Sequence, residues 1–244
     1  MAASSHPRID TPAIRAFGAW PAATQSGQPR QQLLSERERL ALAAIAKPVR
    51  LQRGQIVYQS GDPATSAYVV SAGAVKTFRA HTNGREHITA FLFSDDAFGL
   101  AHGGLYENSA RTLTPVFAYQ LPVAALTALL RTDALLEFHL ITKLCHELRQ
   151  AQGHAFLLTH RHTHVRLAAF LKMIERQQFD ADHTAHDIYL PMSRSDIADY
   201  IGSSLSAVSR AFRSLSRRGI LGARNRRHVN ILDRPAFEMI ARSV

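Results

Sequence analysis

The spacing of apolar residues changes period along the chain, and each change predicts a different kind of element. From Val49 to about Leu121 they come in short runs punctuated by Gly54, Gly61, Gly73, Gly84 and Gly99. Residues 55–58, 67–70, 74–78 and 87–93 have strand length and composition. Asn83-Gly84 is a hairpin-turn dipeptide, and many short strands with evenly spaced turns predict a sandwich or barrel. A short amphipathic helix over residues 35–46 precedes this region. From Val123 to His164 the period becomes helical, with a break near residues 131–133. Within it Ile141, Leu144, Leu148, Ala151, Ala155 and Leu158 alternate spacings of three and four. That is a heptad seam, whose natural partner is the same helix of a second copy. Phe138 and Cys145 fall off the seam and are expected to pack on the chain's own β domain. Gly153 costs a helix about 1 kcal/mol relative to alanine, and marks either a bend or a close approach of two helices.

The stretch PMSRSDIADYIGSSLSAVSRAFRSLSRRGIL then predicts two short helices, a tight turn and a basic hairpin. Ser193 with Asp196 forms a capping-box start, Gly202 ends the first helix, and Ser204 caps the second. Ile197, Ala198, Ile201, Val208, Phe212 and Leu215 supply the apolar positions that hold the pair together. Ser206, Ser209, Arg210 and Arg213 remain, spaced so that all lie along one face of the second helix. A braced helix presenting arginine and hydroxyls on one stripe is what the DNA major groove admits and reads.

Charge strengthens that reading. Between Leu205 and Leu232 the chain carries Arg210, Arg213, Arg217, Arg218, Arg224, Arg226 and Arg227 and no Asp or Glu. A solvated basic face is the plain alternative, and the two-helix pattern displaces it. The 244-residue chain has a net charge of +10, which calls for a polyanionic partner. No apolar run approaches membrane-spanning length, so membrane association is not expected. Cys145 is the single cysteine, which fits a reducing cytoplasm and gives neither an intrachain disulfide nor a four-cysteine metal site.

These pieces resemble the Crp/Fnr family of bacterial transcription regulators. G-D-P at 61–63, Y-V-V-S-A-G at 68–73 and D-D-A-F-G at 95–99 are similar to the family's cyclic-nucleotide-binding-type jelly roll. R-L-A-A-F-L at 166–171 and L-P-M-S-R-S-D-I-A-D-Y-I-G at 190–202 are similar to its winged helix-turn-helix, closest to the Fnr and FixK branch. The resemblance implies an α+β chain. Its parts are a disordered, Pro-rich arm (1–30), a β jelly roll (31–130), a dimerisation helix (131–163) and a winged helix-turn-helix (164–244). It implies a homodimer on double-stranded, palindromic DNA, with RNA polymerase as a further partner.

The resemblance also assigns residues. Ser206, Ser209 and Arg210 fall on base-reading positions, where Arg210 can bond a guanine edge. Ser206 stands where Fnr-like proteins carry a glutamate. Arg194 and Ser204 at the two helix starts, Arg213, and Arg227 in the wing fall on phosphate-contacting positions. In the family's cyclic-AMP receptors a glutamate follows the cassette glycine and an Arg-Ser pair closes the cassette. Here Leu100 follows Gly99, the later pair is Asn108-Ser109, and Arg111 is offset by three residues. A cyclic phosphate would be buried without its cation, so no cyclic nucleotide is expected. The amino-terminal cysteines that hold an iron–sulfur centre in Fnr are missing, since Cys145 stands alone. No cofactor is expected, as in FixK-like members.

Thirteen histidines raise metal and haem readings. His160, His162 and His164 form a tract, but only His160 and His164 share a helix face, so exposed hinge histidines are expected in place of a metal site. His81, His87, His102, His139 and His146 are loose haem candidates without a motif, and Cys145 reads as a small buried apolar residue. The rival function is a receptor in which haem, nitric oxide or another small molecule in the β-roll gates DNA binding. No catalytic signature is present, and an enzyme is not expected.

Overall fold

Ser35 opens the first helix among the described residues with a reciprocal cap, its hydroxyl accepting from Glu38 N while the Glu38 carboxylate accepts from Ser35 N at 2.7 Å. A computed structural model describes residues 34–80, 86–101, 103–178 and 187–242. The arm with Trp20, the Asn83-Gly84 turn, His81 and His102 lie outside the described residues. After α1 (Glu36–Ile45) come eight strands: β1 (Lys47–Leu51), β2 (Ile56–Tyr58), β3 (Ser66–Ala72), β4 (Val75–Ala80), β5 (Glu86–Leu92), β6 (Ala97–Phe98), β7 (Ser109–Thr112) and β8 (Val116–Pro122). They form two antiparallel four-stranded sheets, ordered β1-β8-β3-β6 and β2-β7-β4-β5. The four strand segments expected from sequence correspond to β2, β3, β4 and β5.

Val70, Val75, Ala110 and Ala118 fill the space between the sheets together with an aromatic group, Tyr58, Tyr68, Phe98 and Tyr106. Tyr58 stacks on Tyr106 at 3.7 Å between centroids, and the Tyr106 hydroxyl donates to the Ser66 carbonyl at 2.7 Å. Gly73 turns β3 into β4 with φ +96°, and a Cβ there would sit 2.4 Å from the Pro115 carbonyl, so only glycine fits.

Helices α2 (Val123–Thr132) and α3 (Ala134–Thr159) are separated at Asp133, which caps α3 by accepting from Leu136 N at 3.1 Å. The break thus falls where the sequence places it. The helical stretch ends sooner than residue 164, however: α3 stops at Thr159 and α4 (Thr163–Gln178) starts three residues after His160–His162 begin the gap, with His162 exposed and His160 and His164 half-buried. Gly153 lies inside an unbroken α3 with open space where a Cβ would be, so neither suggested role is seen in the chain.

One side of α3 packs on the roll. Leu136 and Lys143 are buried there, Leu157 is buried in the cluster shared with the carboxy-terminal region, and His139 meets the buried Glu38 carboxylate of α1 at 2.7 Å. His139 is thus engaged by Glu38 of the chain's own first described helix. The opposite side carries the heptad residues in the open, Ile141 52% and Leu148 59% exposed among them. Phe138 and Cys145 correct the expectation that they face the roll: both are exposed. Cys145 lies about 180° around the helix from Leu136, at 100° per residue, so the packing that buries Leu136 turns Cys145 outward.

The carboxy-terminal region continues with β9 (Asp187–Tyr189), α5 (Arg194–Tyr200), α6 (Leu205–Arg217), β10 (Leu221–Ala223), β11 (His228–Ile231) and α7 (Arg234–Ala241). Its three strands form a sheet ordered β10-β11-β9. The core of this region is continuous with residues of the roll. Ala74, Phe78, Ile88, Phe91 and Phe93, from the outer side of the β4–β5 sheet, join Leu167, Phe170, Ile197, Tyr200 and Phe237 in one buried cluster. The two regions are therefore docked on each other, a contact that their sequence boundaries give no sign of.

Candidate nucleic-acid interface

Local chemistry fixes the helix pair. Asp196 N donates to the Ser193 hydroxyl at 3.0 Å, and the Asp196 carboxylate accepts from Ser193 N at 2.9 Å, so α5 starts with the expected capping box. Gly202 follows α5 with φ +60°, and a Cβ there would lie 3.0 Å from Leu158 Cδ2 and 3.3 Å from Arg166 Nη1. Arg166 donates through Nη1 to the carbonyls of Ile201 at 2.7 Å and Gly202 at 2.8 Å. A cation on these free carbonyls satisfies the helix end and complements its dipole. Sequence reasoning passed over Arg166 because the carbonyls it serves are 35 and 36 residues away.

Helix α6 begins at Ser204, whose hydroxyl accepts from Ala207 N at 3.1 Å. Val208, Ala211 and Leu215 bury one side of it. Ser206, Ser209, Arg210 and Arg213 all lie exposed on the other, continued by Arg217. Phe212, expected among the apolar positions, is half-buried. Over its ring lies Arg194, with Cζ 3.3 Å from the ring centre. Burial pushes the Arg194 guanidinium down to about 10, and it stays charged at neutral pH. Its Nη1 is buried without a hydrogen-bond partner. Arg194 is thus half-buried and stacked on Phe212 at the α5–α6 junction, at the helix start that the resemblance assigns to a phosphate contact.

In the wing, Asn225 Oδ1 accepts from Arg227 N at 2.8 Å and His228 N at 3.0 Å, which closes the turn between β10 and β11. Arg224 and Arg226 are exposed at its tip, whereas Arg227 is half-buried, and its carbonyl accepts from Leu190 N at 2.7 Å. The two tip arginines, counted in sequence only as part of the basic run, are the more accessible. Leu158 also differs from its expected surroundings. Its methyl group meets the Gly202 turn, so the last heptad position already has a neighbour within the chain. Among the described residues, no group of three or more His, Cys, Asp or Glu side chains is placed to hold a metal ion, and no helix is long and apolar enough to cross a membrane.

An exposed basic helix beside a basic wing, braced by a capped helix, has the shape and charge of a DNA-reading element. Comparison with known proteins agrees. Residues 48–133 match the cyclic nucleotide-binding domain model, and residues 165–240 match the Crp-like helix-turn-helix domain model. The nitrogen fixation regulation protein FixK of Azorhizobium caulinodans is 29% identical over 90% of this chain and 85% of its own length. The transcriptional activator protein anr of Pseudomonas aeruginosa is 30% identical over 75% of each chain. The solved structure of FixK2 from Bradyrhizobium japonicum superposes with a TM-score of 0.75 at 30% identity, covering 80% of this chain and 97% of that one. The chain belongs to the Crp/Fnr family of DNA-binding transcription regulators, with an amino-terminal domain of the cyclic-nucleotide-binding fold and a carboxy-terminal helix-turn-helix.

Proposed function

We propose that two copies of this chain pair along α3 and place their two α6 helices on a palindromic DNA site, without a cyclic nucleotide or an iron–sulfur cluster. The observation that carries the proposal is the apolar outer side of α3, where Ile141, Leu144 and Leu148 are exposed beside Ala151 and Ala155 at heptad spacing. A contiguous apolar face of that kind is costly in water and is stabilised by a partner. A twofold dimer also suits an element that reads half-sites. Ser206, Ser209 and Arg210 are the base readers in this proposal. Arg213, Arg227, Ser204 and the charged edge of Arg194 face phosphates, with Arg224 and Arg226 added from the wing tip. RNA polymerase is the further partner, and the cytoplasm the site of action.

A β-roll without a cyclic nucleotide is supported by Leu100 after Gly99 and by Asn108-Ser109 where the family's cyclic-AMP receptors carry Arg-Ser. The nearest cation by sequence, Arg111, donates to Glu86 at 2.6 Å and lies over Phe78 at 4.8 Å, so its charge is already matched. With a single cysteine in the sequence, no one chain supplies four thiolates.

The test is to select DNA fragments with the purified protein and sequence them. The expected result is an enriched inverted repeat, its half-sites one helical turn apart at about 34–36 Å between centres, bound by two chains. A single asymmetric site bound by one chain, or no sequence enrichment, overturns the proposal.

A further inference from the structure

Helix α5 is held at three points by residues from outside the helix-turn-helix region. At its amino-terminal end, Lys76 of β4, only 7% exposed, donates through Nζ to Asp196 Oδ1 at 2.8 Å. The same Nζ donates to Glu86 Oε2 at 2.8 Å, and Arg111 donates to the other oxygen of Glu86 at 2.6 Å. Two cations and two carboxylates therefore balance at a half-buried site, with Lys76 at its centre. Nearer the middle of α5, Asp199 Oδ2 accepts from the backbone N–H of Ile88 on β5 at 2.7 Å. At the carboxy-terminal end, His154 of α3 donates through Nε2 to the Tyr200 carbonyl at 2.7 Å, and its ring lies parallel to the Tyr200 ring at 4.0 Å. Phe91 of β5 fills the space beside Tyr200, 5.2 Å between centroids.

The covalent connection between α3 and α4, by contrast, is only residues 160–162. A linker of that kind limits distance but leaves the angle between two helices free. None of the three contacts uses α6, and Ser206, Ser209, Arg210 and Arg213 stay exposed while α5 is held.

We propose that Lys76–Asp196, Ile88–Asp199 and His154–Tyr200 form a clamp that sets the angle of α6 relative to α3, with Lys76, Asp199 and His154 as positioning residues for DNA binding. The inference rests on the dimeric reading given above. In a dimer, the angle of each α6 to its own α3 fixes the separation and mutual orientation of the two reading helices. A swivelling helix pair can still bind one half-site, because that event needs no fixed partner. Binding of the second half-site then loses effective concentration and must order the hinge at a cost in entropy. The clamp therefore acts on the advantage of a full site over a half-site, leaving the contact with each half-site unchanged.

The experiment uses the full chain with two separate variants, Lys76→Met and Asp199→Ala. The first keeps the aliphatic stem of the lysine and leaves Asp196 its bonds to Ser193 and Glu86 its bond to Arg111. The second removes a half-buried carboxylate that is bonded to β5. Dissociation constants are measured on the selected palindrome and on a duplex holding one half-site, at one salt concentration. The expected result is half-site affinity within about twofold of the parent and full-site affinity reduced by about tenfold or more, which is on the order of 1.4 kcal/mol. If Lys76→Met does not fold, Asp199→Ala decides alone. An unchanged ratio of full-site to half-site affinity overturns the clamp, whether the two constants hold or fall together. A rise in full-site affinity also overturns it, since the contact would then oppose binding. A parent protein with no full-site advantage overturns the dimeric reading as well, and so the two failures are distinguishable.

Discussion

Replacing Arg210 by alanine separates recognition from folding. Arg210 is exposed on the free side of α6, and the chain carries no acid from Leu205 to Leu232 to pair with it. Its removal should leave the folded chain within about 0.5 kcal/mol of the parent, as for surface substitutions generally. On DNA the loss is that of a bidentate contact to guanine, about 1–3 kcal/mol for each half-site. A dimer reading two half-sites loses the contact twice, so the full site should weaken by about 2–6 kcal/mol, with preference flattened at one base pair of each half. Arg194→Ala makes the control. Its guanidinium lies 3.3 Å from the centre of the Phe212 ring, and a partly desolvated cation–π contact is worth about 0.5–2 kcal/mol. Arg194→Ala should therefore lower the melting temperature, whereas Arg210→Ala should not. The assay is operator binding over every base at each half-site position, paired with thermal melts of both variants. Operator affinity and base preference that survive Arg210→Ala would refute the assignment of α6 as reader. A melting temperature unmoved by Arg194→Ala would show that the stacked arginine adds nothing to the α5–α6 junction.

Three further outcomes follow from the same structure. Leu148→Glu places a carboxylate from each copy in the α3 seam, where desolvation and like charge oppose association, so sedimentation should show monomers with weak operator binding; an unchanged dimer refutes the seam. Ser206→Glu restores an acceptor for cytosine N4 and should sharpen base preference at one position of each half-site in the competition assay, and identical profiles for both proteins would show that residue 206 reads nothing. Burial holds His154 below the ordinary histidine value of 6.5, helped by the charge of His87 and opposed by its bond to the Tyr200 carbonyl. Between those two values the unfolded chain binds the proton and the folded chain does not, so stability falls as pH falls below about 6.5. Thermal melts from pH 7.5 down to about 5.5 should show a shallower decline for His154→Phe than for the parent; parallel declines would mean that His154 does not carry this dependence.

The parts legible in sequence were those whose causes are local. The Ser193–Asp196 cap, the glycine at 202 and the apolar spacing of α5 and α6 lie within about twenty residues, and together they specify the helix pair before any long-range contact is known. The break at Asp133 was legible for the same reason, a capping residue beside a change in apolar period. Partner choice was less accessible. Helix α3 has apolar residues on two sides, and spacing alone does not say which side meets the roll. Phe138 and Cys145 were placed on the wrong one. Arg194 opens a helix, which reads as a phosphate site, and only the packing of α5 on α6 brings Phe212 beneath it. The union of Lys76 with Asp196 joins residues 120 apart, each of which looks like ordinary surface charge until burial gives it a partner.

That long-range pairing also bears on why the reading surface is so uniformly basic. Helix α5 carries two acids, Asp196 and Asp199, a few residues before the DNA-facing helix. Turned toward a duplex, either would repel phosphates and weaken binding. Instead both are occupied on the β-roll side, Asp196 by Lys76 and Asp199 by the Ile88 N–H. Burial alone would raise the Asp196 carboxyl, but hydrogen bonds from Lys76 and Ser193 outweigh it and hold the group below its ordinary value. It therefore stays ionised at neutral pH while facing its partner cation. The same two side chains that fasten α5 thus keep negative charge off the face that meets DNA. Orientation of the reading helix and the sign of its surroundings are consequences of one packing contact. A substitution at Lys76 accordingly releases the angle of α6, while Ser193 still holds the Asp196 carboxylate at the start of α5.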